Sequence, residues 1–276
     1  SSPGKKLAYI DLEQAESRAV AYLSGDEGYI RACNSGDLHT TVTRLIWKAK
    51  PWVGDFEKDR KLADEAFYRN YSYRDMAKRG GHGSNYLGTP RTMAKHLKIE
   101  PKIMEEFQYG YFQAFPGIRE WHMKTATRLQ STGHLTTPFG RRRTFLGRLS
   151  ENSTLREAVA YVPQSLIADY MNAGVCRLWA WGKVDLLAQI HDAVVFEYPE
   201  GRDDLVAEAS AILSAPIRLV NGDLFSIPSE PNVGWNWGKE SKDNPFGLRK
   251  LKKGDDRKGP GTGQCAATEI LGRGFK

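Results

Sequence analysis

Apolar positions follow two periods along this chain, and the changes of period mark its elements. Residues 7–11, Leu-Ala-Tyr-Ile-Asp, are a short apolar run ending on a carboxylate, the pattern of a buried strand. Over 13–24 the spacing becomes helical, with Ala15, Ala19, Val20 and Leu23 on one side and Gly25 as the stop. Asp37 stands where an N-cap belongs, ahead of a helix through His39, Val42, Leu45 and Ile46. Residues 48–62, with Pro51, Gly54 and many charges, predict a loop or insertion. Helical spacing returns from Glu65 to about Arg79. Residues 89–132 predict a helical block in which Pro101 starts one helix and Pro116 separates it from the next. Phe107, Tyr109, Tyr111, Phe112 and Phe115 are expected as its core. A long helix is predicted over 153–182, broken or entered at Pro163, and another over 203–216 through Leu205, Val206, Ala209 and Leu213. Val233 to Trp237 predicts a last strand.

The strongest strand signal is residues 185–198. Apolar residues run up to His191–Asp192 and resume at Val194, Val195, Phe196 and Tyr198, so the pair is expected at the tip of a hairpin with buried flanks. A carboxylate there needs solvent, an Arg or a metal, because burying an unpartnered ion is costly. The element order predicts an α+β domain with a helical insertion. It allows Asp11 and Asp192 to lie on neighbouring strands.

Composition adds a partner class. The chain has 276 residues, enough for one large or two modest domains, 40% hydrophobic and 26% charged, as expected of a folded protein. The net charge of +7 is uneven, concentrated at Arg141–Arg142–Arg143 and beyond Lys239, which favours a polyanion. No apolar run reaches the roughly 18 residues of a membrane span, so no membrane partner is expected. The first residues, Ser-Ser-Pro-Gly-Lys-Lys-Leu, hold no signal-peptide core, and a cytoplasmic location (host cytoplasm if viral) is expected. Cys33, Cys176 and Cys265 have neither metal-site nor paired spacing and point to a reducing compartment. There are no internal repeats.

Four-residue steps put Arg74, Lys78 and position 82 on one slowly drifting helical stripe, either a phosphate clamp or a solvated face. The run Gly80-Gly81-His82-Gly83 costs about 1 kcal/mol per glycine in a helix, tolerable where something must approach or bend. Three adjacent arginines at 141–143 repel one another unless anions lie nearby, a phosphate backbone being one candidate. Two carboxylates from two strands plus a phosphate clamp suggest two-metal phosphoryl transfer. Mg²⁺ takes one or two carboxylates and completes its shell with substrate phosphates.

In order along about residues 7–238, these features resemble the polymerase region of family A DNA polymerases, the group of bacterial DNA polymerase I and many phage replicases. Asp11-Leu12-Glu13-Gln14-Ala15-Glu16-Ser17-Arg18 is similar to the family's first motif, and Leu23 to Asp26 and Gly36 to Thr40 are similar to the stretch C-terminal to that motif. Arg74, Lys78 and Tyr86 are similar to the second motif, the nucleotide-binding fingers helix. Gly140-Arg141-Arg142 and Arg156 to Gln164 resemble DNA-contacting segments, His191–Asp192 the third motif, and Val233 to Trp237 the closing strand.

The resemblance implies a right-hand α+β architecture, with an antiparallel-sheet palm from 1–30 and 153–240 and helical fingers from 31–152; low apolar content and many Gly, Lys and Arg predict a basic flexible tail at 241–276. It implies that Asp11, Asp192 and the Leu12 carbonyl hold two Mg²⁺, with Mn²⁺ as a possible substitute. Arg74, Lys78 and His39 would bind the triphosphate of a dNTP, and Lys78 would protonate the leaving pyrophosphate. Gln14, Glu16, His82 and Tyr86 would surround the sugar and nascent base pair, with Glu16 excluding a 2′-hydroxyl. Arg141, Arg142, Arg156, Gln164 and His191 would touch primer-template DNA.

Several positions depart from the family. Ala193 replaces the Glu that usually follows His-Asp, and Glu13, replacing a common Ser, is a candidate to compensate. His82 stands where many relatives have Phe or Tyr, Ala160 replaces a frequent Asn, and residues 47–62 look long. The thumb and any nuclease domain would precede residue 1, so a split polymerase with a separate chain carrying thumb or exonuclease is expected. The departures and compactness lean towards a phage-like replicase. Alternatives are a single-subunit RNA polymerase, against which Glu16 argues, and an inactive DNA-binding module, against which the retained Asp11, Asp192, Arg74 and Lys78 argue.

Overall fold

The computed structural model describes residues 1–251 and combines α-helices with an antiparallel sheet, the α+β class that the pattern predicts. β1 (Lys5–Leu12) buries Ala8, Ile10 and Leu12. Gln14, held in the left-handed region at φ 53°, turns the chain into α1 (Ala15–Ser24). Asp26 caps α2 (Glu27–Cys33), and Asp37 caps α3 (Leu38–Ile46). The expected loop at 48–62 contains a helix instead, α4 (Phe56–Ala63). Asp55 caps it, and buried Asp59 binds the Val53 and Gly54 N–H groups and pairs with Arg44, so part of the charge that suggested a loop is structural.

The helix expected from Glu65 begins only at Tyr73. β2 (Ala66–Tyr68) and β3 (Tyr71–Ser72) pair first, and a capping box between Ser72 and Asp75 then opens α5 (Tyr73–Asn85). Such a box satisfies two orphan donors of the first turn, which fixes the start. α5 runs through all three glycines rather than stopping before them. α6 (Pro90–Leu97), α7 (Pro101–Ala114) and α8 (Pro116–Thr132) each carry proline in the first turn, where a missing N–H costs little. β4 (His134–Thr136) and β5 (Arg142–Thr144) pair antiparallel. α9 (Asn152–Trp181) continues unbroken through Pro163. β6 (Asp185–Ile190) and β7 (Ala193–Pro199) form the expected hairpin, and α10 (Asp203–Leu213) follows. After β8 (Ile217–Arg218) and β9 (Leu224–Phe225) comes β10 (Ser229–Gly234), earlier than the expected strand at 233–237. Trp235 and Asn236 instead give their N–H groups to the Phe246 carbonyl. β11 (Arg249–Lys250) pairs with β10, so two residues of the expected flexible tail are strand. The rest of that tail, 252–276, lies outside the described residues.

The chain divides into two units. The first contains Ser1–Glu13, Tyr170–Ile217 and the segment from Leu224 onward. It is built on a five-stranded antiparallel sheet in the order β11-β10-β1-β7-β6. α10 packs on β10, and the far half of α9 approaches α10 so closely that a Cβ on Gly174 would lie 2.9 Å from Leu213.

The second unit contains Gln14–Asp169 and Arg218–Asp223. Its core joins Val20, Tyr29, Val42, Met76, Phe107 and Tyr111 among others. Of the five aromatics expected there, Phe107, Tyr111 and Phe115 are buried and Phe112 packs against them, but Tyr109 is 72% exposed. The α5 glycines make room for this core: a Cβ on Gly80 would sit 2.4 Å from the Phe107 ring. Gly80→Ala is therefore expected to lower stability by about 1–2 kcal/mol, overpacking exceeding the gain of about 1 kcal/mol in helix propensity. Thermal unfolding checks it, and an unchanged melting temperature would remove the packing account.

Candidate active site

In the first unit, strand register does what the sequence could only allow. Asp11 lies opposite Ala193 on β7, one residue beyond Asp192. The Leu12 N–H donates to the Asp192 carbonyl at 3.0 Å, tying the hairpin tip to the end of β1. His191 takes φ 56° at the first position of the two-residue loop, as twist-matched hairpins require. Its Nδ1 lies 3.0 Å from Asp192 Oδ1. Non-glycine residues with positive φ are uncommon, and both Gln14 and His191 adopt it, one just past each catalytic-candidate strand.

Burial first, then Asp192 and then Glu230, pushes the Asp11 carboxyl up to about 6, with His191 opposing. Such crowded negative charge and an all-oxygen donor set suit a hard divalent cation. Among the described residues no group of three or more His, Cys, Asp or Glu forms a metal site.

In the second unit, α3 and α5 assemble a cation cluster around Asp37. The Asp37 carboxylate caps α3 through the His39 and Thr40 N–H groups and accepts from Arg74 Nε at 3.0 Å, Arg74 Nη2 at 3.1 Å and Arg60 Nη1 at 2.9 Å. Burial alone would raise its pKa, but the Arg74 hydrogen bond and those of Thr40 hold it below the usual range. His39 stands beside them. Burial first, then Arg74, pushes it down to about 4, with Lys78 and Arg60 adding and Asp37 opposing. His39 is thus neutral at neutral pH among three cations, and Lys78 on the same helix as Arg74 is exposed. Three cations and a neutral imidazole thus gather about one carboxylate, which orients Arg74.

Gln14, Glu16, His82 and Tyr86 also belong to this unit. His82 Nδ1 lies 2.9 Å from Glu16 Oε2, and its ring meets Tyr86 edge-on at 5.1 Å. The buried Gln14 Oε1 and Tyr86 hydroxyl have no hydrogen-bond partner among the described residues. Unpaired buried polar atoms are rare and call for an explanation, which a polar ligand would supply.

The arginine run proves largely self-neutralised. Arg141 pairs with Asp169 and Arg143 with Glu157, while Arg142 meets His134 Nδ1 at 3.3 Å. Alternation along β5 and carboxylates on α9 relieve the repulsion without an external anion. Arg156 and Gln164 are both exposed on α9, eight residues apart and therefore on one stripe.

The DNA polymerase family A profile matches residues 1–239. The chain belongs to DNA polymerase family A. It is 31% identical over 240 residues to the thermostable DNA polymerase I of Thermus filiformis, a match covering 84% of this chain and 26% of that protein. DNA polymerase I of Chloroflexus aurantiacus is 28% identical over 253 residues, 87% of this chain and 25% of the relative. That of Mycobacterium bovis is 28% identical over 243 residues, 83% and 24% respectively. The chain thus spans about a quarter of the length of these relatives. Among solved structures, the POL domain of Pol1 from M. smegmatis, in complex with DNA primer-template and dNTP, shares the fold with TM-score 0.67 and 24% identity. That match covers 84% of this chain and 40% of the other.

Two residues of this family A chain could not be recognised as site residues from sequence. Asp37 was legible as a cap, but its hold on Arg74 spans 37 residues. Glu230 faces Asp11 across β1 from Ala193. Glu230 also pairs with Lys250, whereas Glu13 lies past the end of β1 with its N–H on the Pro228 carbonyl. Alternation in 229–234 was the available signal, but only the register reveals the partner.

The Glu16–His82 pair predicts a pH dependence. The hydrogen bond to Glu16 raises the His82 pKa above 6.5, with burial opposing. The pair's stabilisation is therefore full below the unfolded value and disappears as pH rises through the raised folded value. An NMR titration of His82 is expected to show a midpoint above 6.5 that Glu16→Gln lowers. Equal midpoints in the two proteins would refute the pairing.

Proposed function

We propose that this chain carries the catalytic part of a DNA polymerase, transferring dNMP from a dNTP to a primer 3′-hydroxyl and releasing pyrophosphate. The observation that carries the reading is the β1–β7 register, which brings Asp11 beside the Asp192 hairpin tip from 181 residues away. Family membership supports it, as do the names of the relatives and the fold shared with a polymerase domain in complex with primer-template and dNTP.

In this reading Asp11, Asp192 and the Leu12 carbonyl hold Mg²⁺, or Mn²⁺ in its place. The bound ions would supply positive charge for the attacking and leaving oxygens. Arg74, Lys78 and His39 bind the triphosphate, and neutral His39 can donate one N–H to a phosphate oxygen. Lys78 Nζ gives a proton to the departing pyrophosphate. Gln14, Glu16, His82 and Tyr86 take the sugar and base, with Glu16 set against a 2′-hydroxyl. Arg141, Arg142, Arg156, Gln164 and His191 contact primer-template DNA. Arg141 contributes as the ion pair with Asp169 opens or stays to orient it. In this reading residues 1–30 and 153–240 are palm and 31–152 fingers, a division that cuts across the second compact unit at 14–30, 153–169 and 218–223. Catalysis comes from positioning and charge stabilisation.

Primer extension with Mg²⁺, comparing dNTPs with rNTPs on primed DNA, tests the reading. Template-matched dNTP addition is expected. DNA binding without any dNTP addition would leave a binding module, and preferential rNTP addition would indicate an RNA polymerase.

A further inference from the structure

The match to family A ends at residue 239, and beyond it the chain doubles back onto the sheet that carries Asp11. Lys239 bridges to Leu248, the Leu248 N–H donates to the Gly238 carbonyl, and the Leu251 N–H donates to the Pro231 carbonyl. The side chains of Asn236 and Asn244 exchange hydrogen bonds of 2.8 and 2.9 Å. The return needs glycine: a Cβ on Gly234 would lie 2.6 Å from the Gly247 carbonyl oxygen. β11 thus sets Lys250 opposite Asn232 and Arg249 opposite Val233.

This return builds one wall of a groove of about 550 Å³ in the first unit. Tyr9 of β1, Asn232 of β10 and Ile190 of β6 line it from the sheet, Trp237 and Lys239 from the end of the matched segment, and Arg249 from the return. Tyr9 and Asp11 are two residues apart on β1, so their side chains leave the same face of the sheet. Ile190 directly precedes the His191–Asp192 tip. The groove therefore starts beside the carboxylate pair and crosses the sheet to its β11 edge.

The lining is chemically mixed in a specific way. Trp237 is 54% exposed, a large aromatic face left to solvent. Lys239 makes no ion pair among the described residues, Arg249 lies 3.6 Å from Glu240, and Lys250 pairs with Glu230. Aromatic faces beside cations form the usual surface for a nucleic-acid strand, rings against sugars and bases and cations on phosphates. A primer whose 3′ end reaches Asp11 and Asp192 must lead away along an adjoining surface.

We propose that this groove, completed by residues beyond the family match, holds the backbone of the primer strand just behind its 3′ end. The proposal rests on the polymerase reading above. Lys239 grips a phosphate, Trp237 covers a sugar or base, and Arg249 exchanges Glu240 for a second phosphate.

Photocrosslinking of the full chain to primer-template with a single 4-thiothymidine, placed a few nucleotides behind the primer end or in the template overhang, tests it. Crosslinks from the primer strand are expected within residues 237–250. Lys239→Ala and Trp237→Ala are each expected to weaken equilibrium primer-template binding several-fold without changing thermal unfolding. Lys239→Ala should also reduce the salt slope of binding by about one. Crosslinks there only from the template overhang, or binding unaffected by both substitutions, would overturn the proposal. Primer-strand crosslinks in a chain that adds no dNTP would reject the polymerase reading but keep the strand in the groove. Extension without such crosslinks would do the reverse.

Discussion

Asp192→Asn is expected to reduce primer extension by about a thousandfold or more while leaving primer-template affinity nearly unchanged. A thousandfold corresponds to about 4 kcal/mol of transition-state stabilisation. The substitution keeps the size of the side chain, and the hydrogen bond that anchors the tip uses the Asp192 backbone carbonyl, which Asn retains. The hairpin should therefore stay folded. What is lost is a formal negative charge beside Asp11. With that neighbour neutral, a cation bound there in the proposed reading would lose one of its two carboxylate ligands. Asp11→Asn should act similarly, and the double variant should be little worse than either single one, because groups acting as a unit are not additive. Single-turnover extension together with equilibrium DNA binding measures both quantities. Wild-type extension by Asp192→Asn would remove the carboxylate pair from the mechanism.

Much of this site could be read from local signals. A run ending in Asp11, a second run folding back at His191–Asp192, a cap at Asp37 and prolines ahead of α7 and α8 each depend on residues close in sequence. Interactions between distant residues were not legible. The capping box at Ser72 outcompeted a helical pattern that extended back to Glu65. Gly80 signalled close approach or bending, and the approach is what it serves, but its partner Phe107 lies 27 residues later and could not be named from sequence. Arg141 and Arg143 looked like an unsatisfied charge run until α9 presented Asp169 and Glu157. Glu230 gained meaning only from register, because a strand's periodicity says which face a residue takes but never whom it faces.

The same lesson makes Asp37 the second large effect. Asp37→Ala removes an N-cap, worth about 1 kcal/mol, and strands Arg74 and Arg60 around a carboxylate that was 4% exposed. Breaking a buried pair costs about 3–5 kcal/mol. Arg74 is 23% and Arg60 39% exposed, so water recovers part of that loss, and a total of about 3 kcal/mol is expected. Asp37→Asn separates the roles, since its amide oxygen can still cap α3 while the charge is gone. It should cost less stability yet still release Arg74 from its bidentate hold. Nucleotide binding should then suffer beyond stability: the dNTP KM is expected to rise roughly tenfold with kcat changed less, the mark of lost binding rather than lost chemistry. The wild-type pair also fixes a pH sign. Because Arg74 and Thr40 hold the folded Asp37 pKa below its ordinary value, its stabilisation is present above the unfolded value and fades as pH falls through the folded one. Denaturant unfolding at several pH values should show this acid-side loss in wild type and its absence in Asp37→Asn. If Asp37→Asn matches wild type in both stability and dNTP KM, Asp37 is only a cap and the aiming of Arg74 must come from elsewhere.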